Sequence, residues 1–482
     1  MRGRRWIGPG LGVVALSIFL LLPPLEPLTA LGMKVVGIFL FTIIWWATVS
    51  IGYPSLLCIA LLALTGVMTP KAVFAASMGN WVVLFLIGCF GLSEGLRVTG
   101  FSRRFALWFL TRPFAAGRPW MLLAMFLLAC TLLGSIMSST ATCIVFMAIA
   151  VPMLEALGYK KGDPFASMFM IGIAWAATAS LAMTPIAHAG NIMMMDWLRS
   201  DFGYAISFPQ WMLFGIPVGL LVYLMVLGAF RYVVRPDVSK VRAMASGYVR
   251  QEASKMGAMK LQEKLAVGIF LGVVVCWILP GIAGNILPGV GAFLDKMGYA
   301  IPALVGASLL CLIRVKNQPL MTFQQWMRGG VEWGAIVLAA SIMVMGVVLG
   351  NPETGIPELL TNIFQPLATG VPFNVFLIIT LLWVVLQTNL MSNLVSMTLV
   401  YNTMVPVAAG VGLGNPIALG ATISAASNYA FSLPSATTTT AIVIGSGWVS
   451  VKFMARYGVI LIIPIVLAFT FICYPYASLL FR

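Results

Sequence analysis

Apolar residues run along this chain in long blocks rather than in alternation. Stretches such as 31–50, 80–97, 208–231 and 456–480 carry almost no charge, and polar residues gather between them. A block of about 20 apolar residues is the length that crosses a bilayer as a helix, whereas a period of two would mark strands. Helices are therefore predicted over about 7–22, 31–50, 53–68, 80–97, 164–183 and 208–231, and again over 265–280, 299–313, 332–350, 416–432 and 456–480. Two blocks are too long for one span. Residues 119–155 and 371–410 are each broken near the middle by polar residues and read as re-entrant hairpins.

The breaks recur at one spacing. Ser138-Ser139-Thr140-Ala141-Thr142 lies in a run that ends at Val151-Pro152. Ser392-Asn393-Leu394, 254 residues later, opens a run that ends at Val405-Pro406. Two further helix-breaking segments follow the hairpins, Thr184–Asn191 and Leu433–Thr440. Trp81 with Trp333, Thr99-Gly100 with Thr354-Gly355, and Pro185 with Pro434 repeat at offsets of 249 to 255. The expectation is an all-α polytopic membrane protein of about 11 transmembrane helices and two re-entrant hairpins, in two inverted repeats. The repeats span 1–234 (hairpin 119–155, break 184–191) and 265–482 (hairpin 371–410, break 433–440), joined by a basic linker, 235–264. Phe101–Arg112, with Arg103, Arg104 and Arg112 among aromatic residues, reads as an amphipathic stretch in the membrane interface.

Composition agrees with a membrane protein: 61% of the 482 residues are hydrophobic and 9% charged, against about 45–50% and 25% in soluble domains. The net charge of +15 does not point to nucleic acid, because the basic residues sit between apolar runs instead of along one face. With the N-terminus in the cytoplasm, only Lys34, Lys71, Arg199, Lys296 and Arg482 of the 28 Lys and Arg fall outside, which leaves 23 inside. That bias predicts a cytoplasmic N-terminus and linker and an external C-terminus, in a bacterial inner or plasma membrane. Met1–Arg5 and the apolar run after it have the form of a signal peptide, but in a polytopic chain they read as an uncleaved first helix. Seven scattered cysteines without a C-x-x-C read as small buried hydrophobes. A single histidine excludes a His-rich metal centre.

A break in a spanning helix exposes N–H groups that favour anions and carbonyls that, with hydroxyl or amide oxygens, coordinate Na⁺. None of the four breaks holds a Lys or Arg. The competing reading of each Ser or Thr is a hydroxyl bonded back to its own helix. His188, in the third break, is either an anion partner able to take up a proton, with an ordinary pKa near 6.5, or a neutral histidine hydrogen-bonded in the bundle. These features predict a secondary transporter of small anions, coupled to a cation, Na⁺ or H⁺, with a sodium-independent exchanger, a channel and a membrane-embedded enzyme as alternatives. An enzyme would need paired carboxylates, a nucleophile–base set or metal ligands at membrane depth. His188 and a few isolated acids do not make one.

Ser138–Pro152, Thr388–Pro406 and, most specifically, Ala430–Thr437 through Ala441–Gly447 resemble the divalent anion:sodium symporter family. The resemblance covers nearly the whole chain. It implies a homodimeric elevator transporter for di- and tricarboxylates or sulfate, set in lipid, with Na⁺ as coupling ion and no other cofactor. It places one cation site at Ser138, Ser139 and the backbone near Gly134 and Ala187, and a second at Thr388, Met391, Asn393 and Ala436. Substrate would meet Ser139, Thr140, His188, Ser392, Asn393, Thr437 and Thr438. Ser139 stands where the family has Asn, and Leu394 where it has Thr. Ala187–Gly190 replaces a Gly-Thr-Pro-Pro-like run, and Thr438–Thr440 replaces Pro-Pro-Asn.

Overall fold

Large apolar side chains cover much of the outside of this protein. The computed structural model describes residues 7–111, 118–237, 254–283, 288–434 and 436–482. Leu21 and Leu64 are 84% and 82% exposed, an arrangement that suits hydrocarbon surroundings and would make a soluble protein aggregate. Among the described residues, eight helices are long and apolar enough to cross a membrane, and six more apolar helices are shorter. The protein is an integral, multi-pass, all-α membrane protein whose strands, among the described residues, amount to the two-residue pair Arg314–Val315 and Gln318–Pro319.

Two helices form the centre. Every residue from Phe165 to Ala182 is buried, and so is every residue from Ile417 to Ser427 in the helix Pro416–Ser427. Both are rich in Ala, Gly, Ser and Thr (Ala174-Trp-Ala-Ala-Thr-Ala-Ser180, Ala421-Thr-Ile-Ser-Ala-Ala-Ser427). Small side chains let backbones approach where lipid gives no hydrophobic drive for association. Around the first pack Pro119–Gly134, Ser139–Ala156, Phe208–Ala229 and Thr438–Gly445; around the second pack Ala189–Phe202, Phe373–Leu390, Asn393–Gly410 and Tyr474–Leu480.

Each long apolar block is a helix–break–helix pair. Pro119–Gly134 and Ser139–Ala156 flank Ser135–Ser138, and Phe373–Leu390 and Asn393–Gly410 flank Met391-Ser392. Thr184–His188 and Tyr429–Thr437 are the other two interruptions, each ending at the N-cap of a further helix, Ala189–Phe202 or Thr438–Gly445.

The structure also adds elements and moves boundaries. Residues 351–370, between the predicted helix 332–350 and the block 371–410, contain the amphipathic helix Ile356–Gly370; its polar face dilutes the apolar average that marks a span. Gly355 precedes it at φ 68°, and Gly100 precedes the amphipathic helix Phe101–Leu110 at φ 93°. Left-handed backbone at both corners explains the paired glycines, and at Gly355 a Cβ would also strike the Pro27 carbonyl at 2.0 Å. Short helices Pro70–Ala76 and Pro288–Met297 were not foreseen. Leu261–Lys264, assigned to the linker, form the first turn of Leu261–Ala283. Glu263 sits in that turn, where a carboxylate complements the helix dipole, and pairs with Arg104 of the interfacial helix. The last span begins at Val451 and is interrupted by short 3₁₀ and π segments. Of the residues and ranges named above, Met1–Arg5, Arg112, residues 238–253 of the linker and residue 435 of the last break lie outside the described residues. All seven cysteines are free thiols.

Candidate functional site

The four breaks meet at one cavity of about 360 Å³. Its wall includes Ser138, Ser139 and Thr140, then Ala187 and His188, then Met391, Ser392 and Asn393, then Ala436, Thr437 and Thr438. The structure thus brings eleven of the thirteen candidate residues to one surface. Gly134 and Thr388 lie behind the wall. Gly134 backs onto Ser180, whose Oγ would stand 2.5 Å from a Cβ at that position. Among the described residues no Lys or Arg lines the cavity, and Cys89, His188 and Glu332 are its ionisable side chains.

What faces the cavity instead of cations is four helix N-termini. Ser138, His188, Ser392 and Thr437 are the N-caps of Ser139–Ala156, Ala189–Phe202, Asn393–Gly410 and Thr438–Gly445. Each N-terminus carries unpaired N–H groups and a partial positive charge of about half an electron, so the four together suit an anion. Two of them are left open. Neither Ser138 nor Ser392 uses its side chain to cap its own helix. The other two are capped: His188 Nδ1 accepts from the Gly190 N–H at 3.2 Å, and Thr437 Oγ1 accepts from the Thr440 N–H at 3.3 Å. An imidazole whose Nδ1 accepts carries its proton on Nε2, so this His188 is neutral and a donor through its outer nitrogen. Thr140 Oγ1 is buried without a protein partner.

The second tip is crowded with oxygen. Thr388 Oγ1 lies 2.8 Å from Asn393 Oδ1 and also against the Ser427 carbonyl. One hydroxyl proton serves these three oxygens, which is the donor poverty that a small cation relieves. Asn393 Nδ2 donates to the Asn428 carbonyl at 3.3 Å, and Asn428 Oδ1 is buried with no partner. Asn389 braces the neighbouring break, accepting from the Phe431 and Ser432 N–H groups at 2.9 and 2.8 Å. Asn428 Nδ2 in turn donates to Asn191 Oδ1 at 3.3 Å, and Asn191 Nδ2 donates to the Leu181 and Thr184 carbonyls. A buried asparagine chain therefore joins the two breaks that follow the helix–break–helix pairs.

The first tip is tied differently. The Ser138 N–H donates to Ser93 Oγ at 3.0 Å, and Ser138 Oγ donates to Glu332 Oε1 at 2.6 Å. Thr184 Oγ1 donates to the Ser135 carbonyl. Sequence reasoning missed Ser93, Glu332, Ser427, Asn428 and Asn191. The Asn389-x-x-x-Asn393 spacing, one helical turn across a break, was the visible signal for a polar network; nothing near Glu332 in the sequence marked it. Glu94, by contrast, pairs with Arg97 one turn along at 2.6 Å and is not part of the wall.

A bundle of apolar helices with four inward breaks around a charge-poor cavity is the build of a membrane transporter. Residues 4–481 match the family described as the sodium:sulfate symporter transmembrane region, and the chain belongs to that family. It is 27% identical to a sodium-dependent dicarboxylate transporter, SdcS, of Staphylococcus saprophyticus over 97% of this chain and 91% of that one. The SdcS of Staphylococcus aureus strain USA300 is 26% identical over 94% and 87%. In fold the chain is similar to the YdaH transporter of Alcanivorax borkumensis, with a TM-score of 0.59, 13% identity and 98% of each chain covered. Family and relatives are transporters, not enzymes.

Proposed function

We propose that this protein carries a small di- or tricarboxylate, or sulfate, across a bacterial inner membrane, with Na⁺ moving in the same direction. The observation that supports this reading best is the meeting of four helix N-termini at one cavity that has no Lys or Arg in its wall. Anion charge is met by the open N–H groups of the two tips, the Thr140, Thr437 and Thr438 hydroxyls and His188 Nε2–H. Na⁺ binds the oxygens of Thr388, Asn393 and Ser427 at the second tip, with the Met391 and Ala436 backbone, and Ser138, Ser139 and the carbonyls near Gly134 and Ala187 at the first. Sodium adds positive charge next to an anion site that has none of its own, which couples the two ligands. The helix–break–helix pairs act as re-entrant hairpins of two inverted repeats, 1–234 and 265–482, and move as an elevator within a homodimer. The N-terminus is cytoplasmic and the C-terminus external.

Counterflow in proteoliposomes loaded with succinate, citrate, sulfate or a monocarboxylate, each with and without a Na⁺ gradient, tests the reading. Exchange of a dianion that an inward Na⁺ gradient converts to net uptake is the expected result. Dianion exchange indifferent to Na⁺ would instead favour a sodium-independent exchanger, a reading that the serine at position 139 supports. No exchange of any of these anions would overturn the proposal.

A further inference from the structure

A carboxylate is out of place in a cavity built for anions, yet Glu332 lines it. Glu332 is the N-cap residue of Trp333–Leu349 but does not cap that helix with its side chain. It takes no part in the ion pairs Glu94–Arg97 and Glu263–Arg104. Its carboxylate reaches instead across to Ser138, 194 residues earlier in the chain, and accepts the Ser138 hydroxyl proton at 2.6 Å.

The consequence for Ser138 is chemical. A serine oxygen has one proton and two lone pairs. With the proton held by a carboxylate, Ser138 Oγ presents only lone pairs elsewhere, and the charge-assisted bond makes that oxygen more negative. Its backbone N–H is occupied by Ser93 Oγ, so this residue offers no donor to the cavity. Such an oxygen suits a cation and repels an anion. The same logic governs metal sites, where a carboxylate behind a ligand fixes its orientation and raises its donor strength.

We infer that Glu332 is a positioning residue for the coupling cation: it orients and polarises Ser138 Oγ so that the first tip binds Na⁺ without the amide oxygen that Ser139 lacks. This rests on the proposed role of Ser138 as a sodium ligand. Glu332 lies on a different helix from both tips, so the first cation site is complete only while Ser138–Ser139 and the start of Trp333–Leu349 stay together.

Sodium binding can be read on the purified full chain without transport, from the rise in Tm as NaCl replaces choline chloride at constant ionic strength. E332Q is expected to need about 10-fold more Na⁺ for the same rise, the usual loss when a residue behind a ligand is removed. S138A should shift the titration similarly, and E332Q/S138A should be no worse than the worse single variant, because the two act through one oxygen. In proteoliposomes E332Q should raise the Na⁺ half-saturation of succinate uptake while leaving the succinate KM at saturating Na⁺ within about twofold, a split that general loosening would not give. Should E332Q fail to fold, E332D keeps the charge with a shorter reach and is expected to shift the Na⁺ titration in the same direction. A wild-type Na⁺ titration in E332Q, or in E332D where that variant is the one that folds, alongside a shifted one in S138A would overturn this inference and leave the sodium site at Ser138 standing. Wild-type titrations in both E332Q and S138A, with N393A shifted, would remove the first-tip site itself and the inference with it.

Discussion

The two tips differ in where their partners come from. At the second, Asn393 meets Thr388 and Asn428, and Thr388 in turn meets the Ser427 carbonyl, all within 40 residues. At the first, Ser138 is tied to Ser93 and to Glu332, 45 and 194 residues away. One tip takes its partners from its own helix pair and the helix that follows it in the chain; the other takes them from helices far away in sequence. A site that is complete within one piece stays intact when that piece moves, whereas a site finished by a distant carboxylate changes composition with any relative motion. The difference teaches that equal spacing in sequence does not make the two sites equivalent in chemistry.

The comparison breaks most sharply at Asn393. Removing its amide oxygen in N393A deletes one of the three clustered oxygens proposed to hold the cation and should weaken sodium binding by about 2 kcal/mol, roughly 30-fold in Na⁺ half-saturation. A Na⁺ titration of uptake checks it, and an unchanged midpoint would strip the second tip of its assigned role.

The next largest effect separates two jobs of His188. H188A loses both the cap on Ala189–Phe202 and the imidazole, and should lower stability by about 1 kcal/mol together with anion uptake. H188N keeps an acceptor for the Gly190 N–H and should melt close to wild type while still transporting poorly. Equal transport by H188N and wild type would leave His188 with a capping role alone.

Smaller effects concern the first tip's own hydroxyls. Thr140 Oγ1 has no protein partner, so T140V should cost little stability but raise the anion KM by about fivefold, the worth of one hydrogen bond near 1 kcal/mol. S139N should go the other way, returning an amide oxygen to the first tip and lowering Na⁺ half-saturation by about threefold, at the weak end of the same range. A loss of sodium affinity in S139N would show that Glu332 and an amide at 139 compete for the same space.

Much of this was readable from residue order because bilayers impose simple lengths. Apolar blocks gave the spans, and hydroxyl or amide clusters inside them gave the four breaks, since polar backbone at membrane depth persists only where protein or a cavity satisfies it. Thr99-Gly100 and Thr354-Gly355 marked two corners because left-handed backbone restricts the choice of residue. Ile356–Gly370 escaped because a helix lying with one face polar lacks the average hydropathy of a span. Ser427 escaped because it contributes through its carbonyl, which any residue possesses. Glu332 escaped for a third reason: its meaning lies in a contact across 194 positions, and a single glutamate before a tryptophan has no local signature.

A pocket whose attraction comes from helix ends has a further property. A guanidinium in this place would stay charged after its anion left, and a carrier returning empty would then drag an unpaired ion through surroundings where that costs several kcal/mol. Peptide dipoles carry no net charge, so the tips and breaks around Ser138, His188, Ser392 and Thr437 suit an anion when it is present and bring no formal positive charge of their own when it is gone. The scarcity of basic residues at the centre of a chain with net charge +15 is thus a kinetic provision: the empty half of the cycle need not be slower than the loaded one.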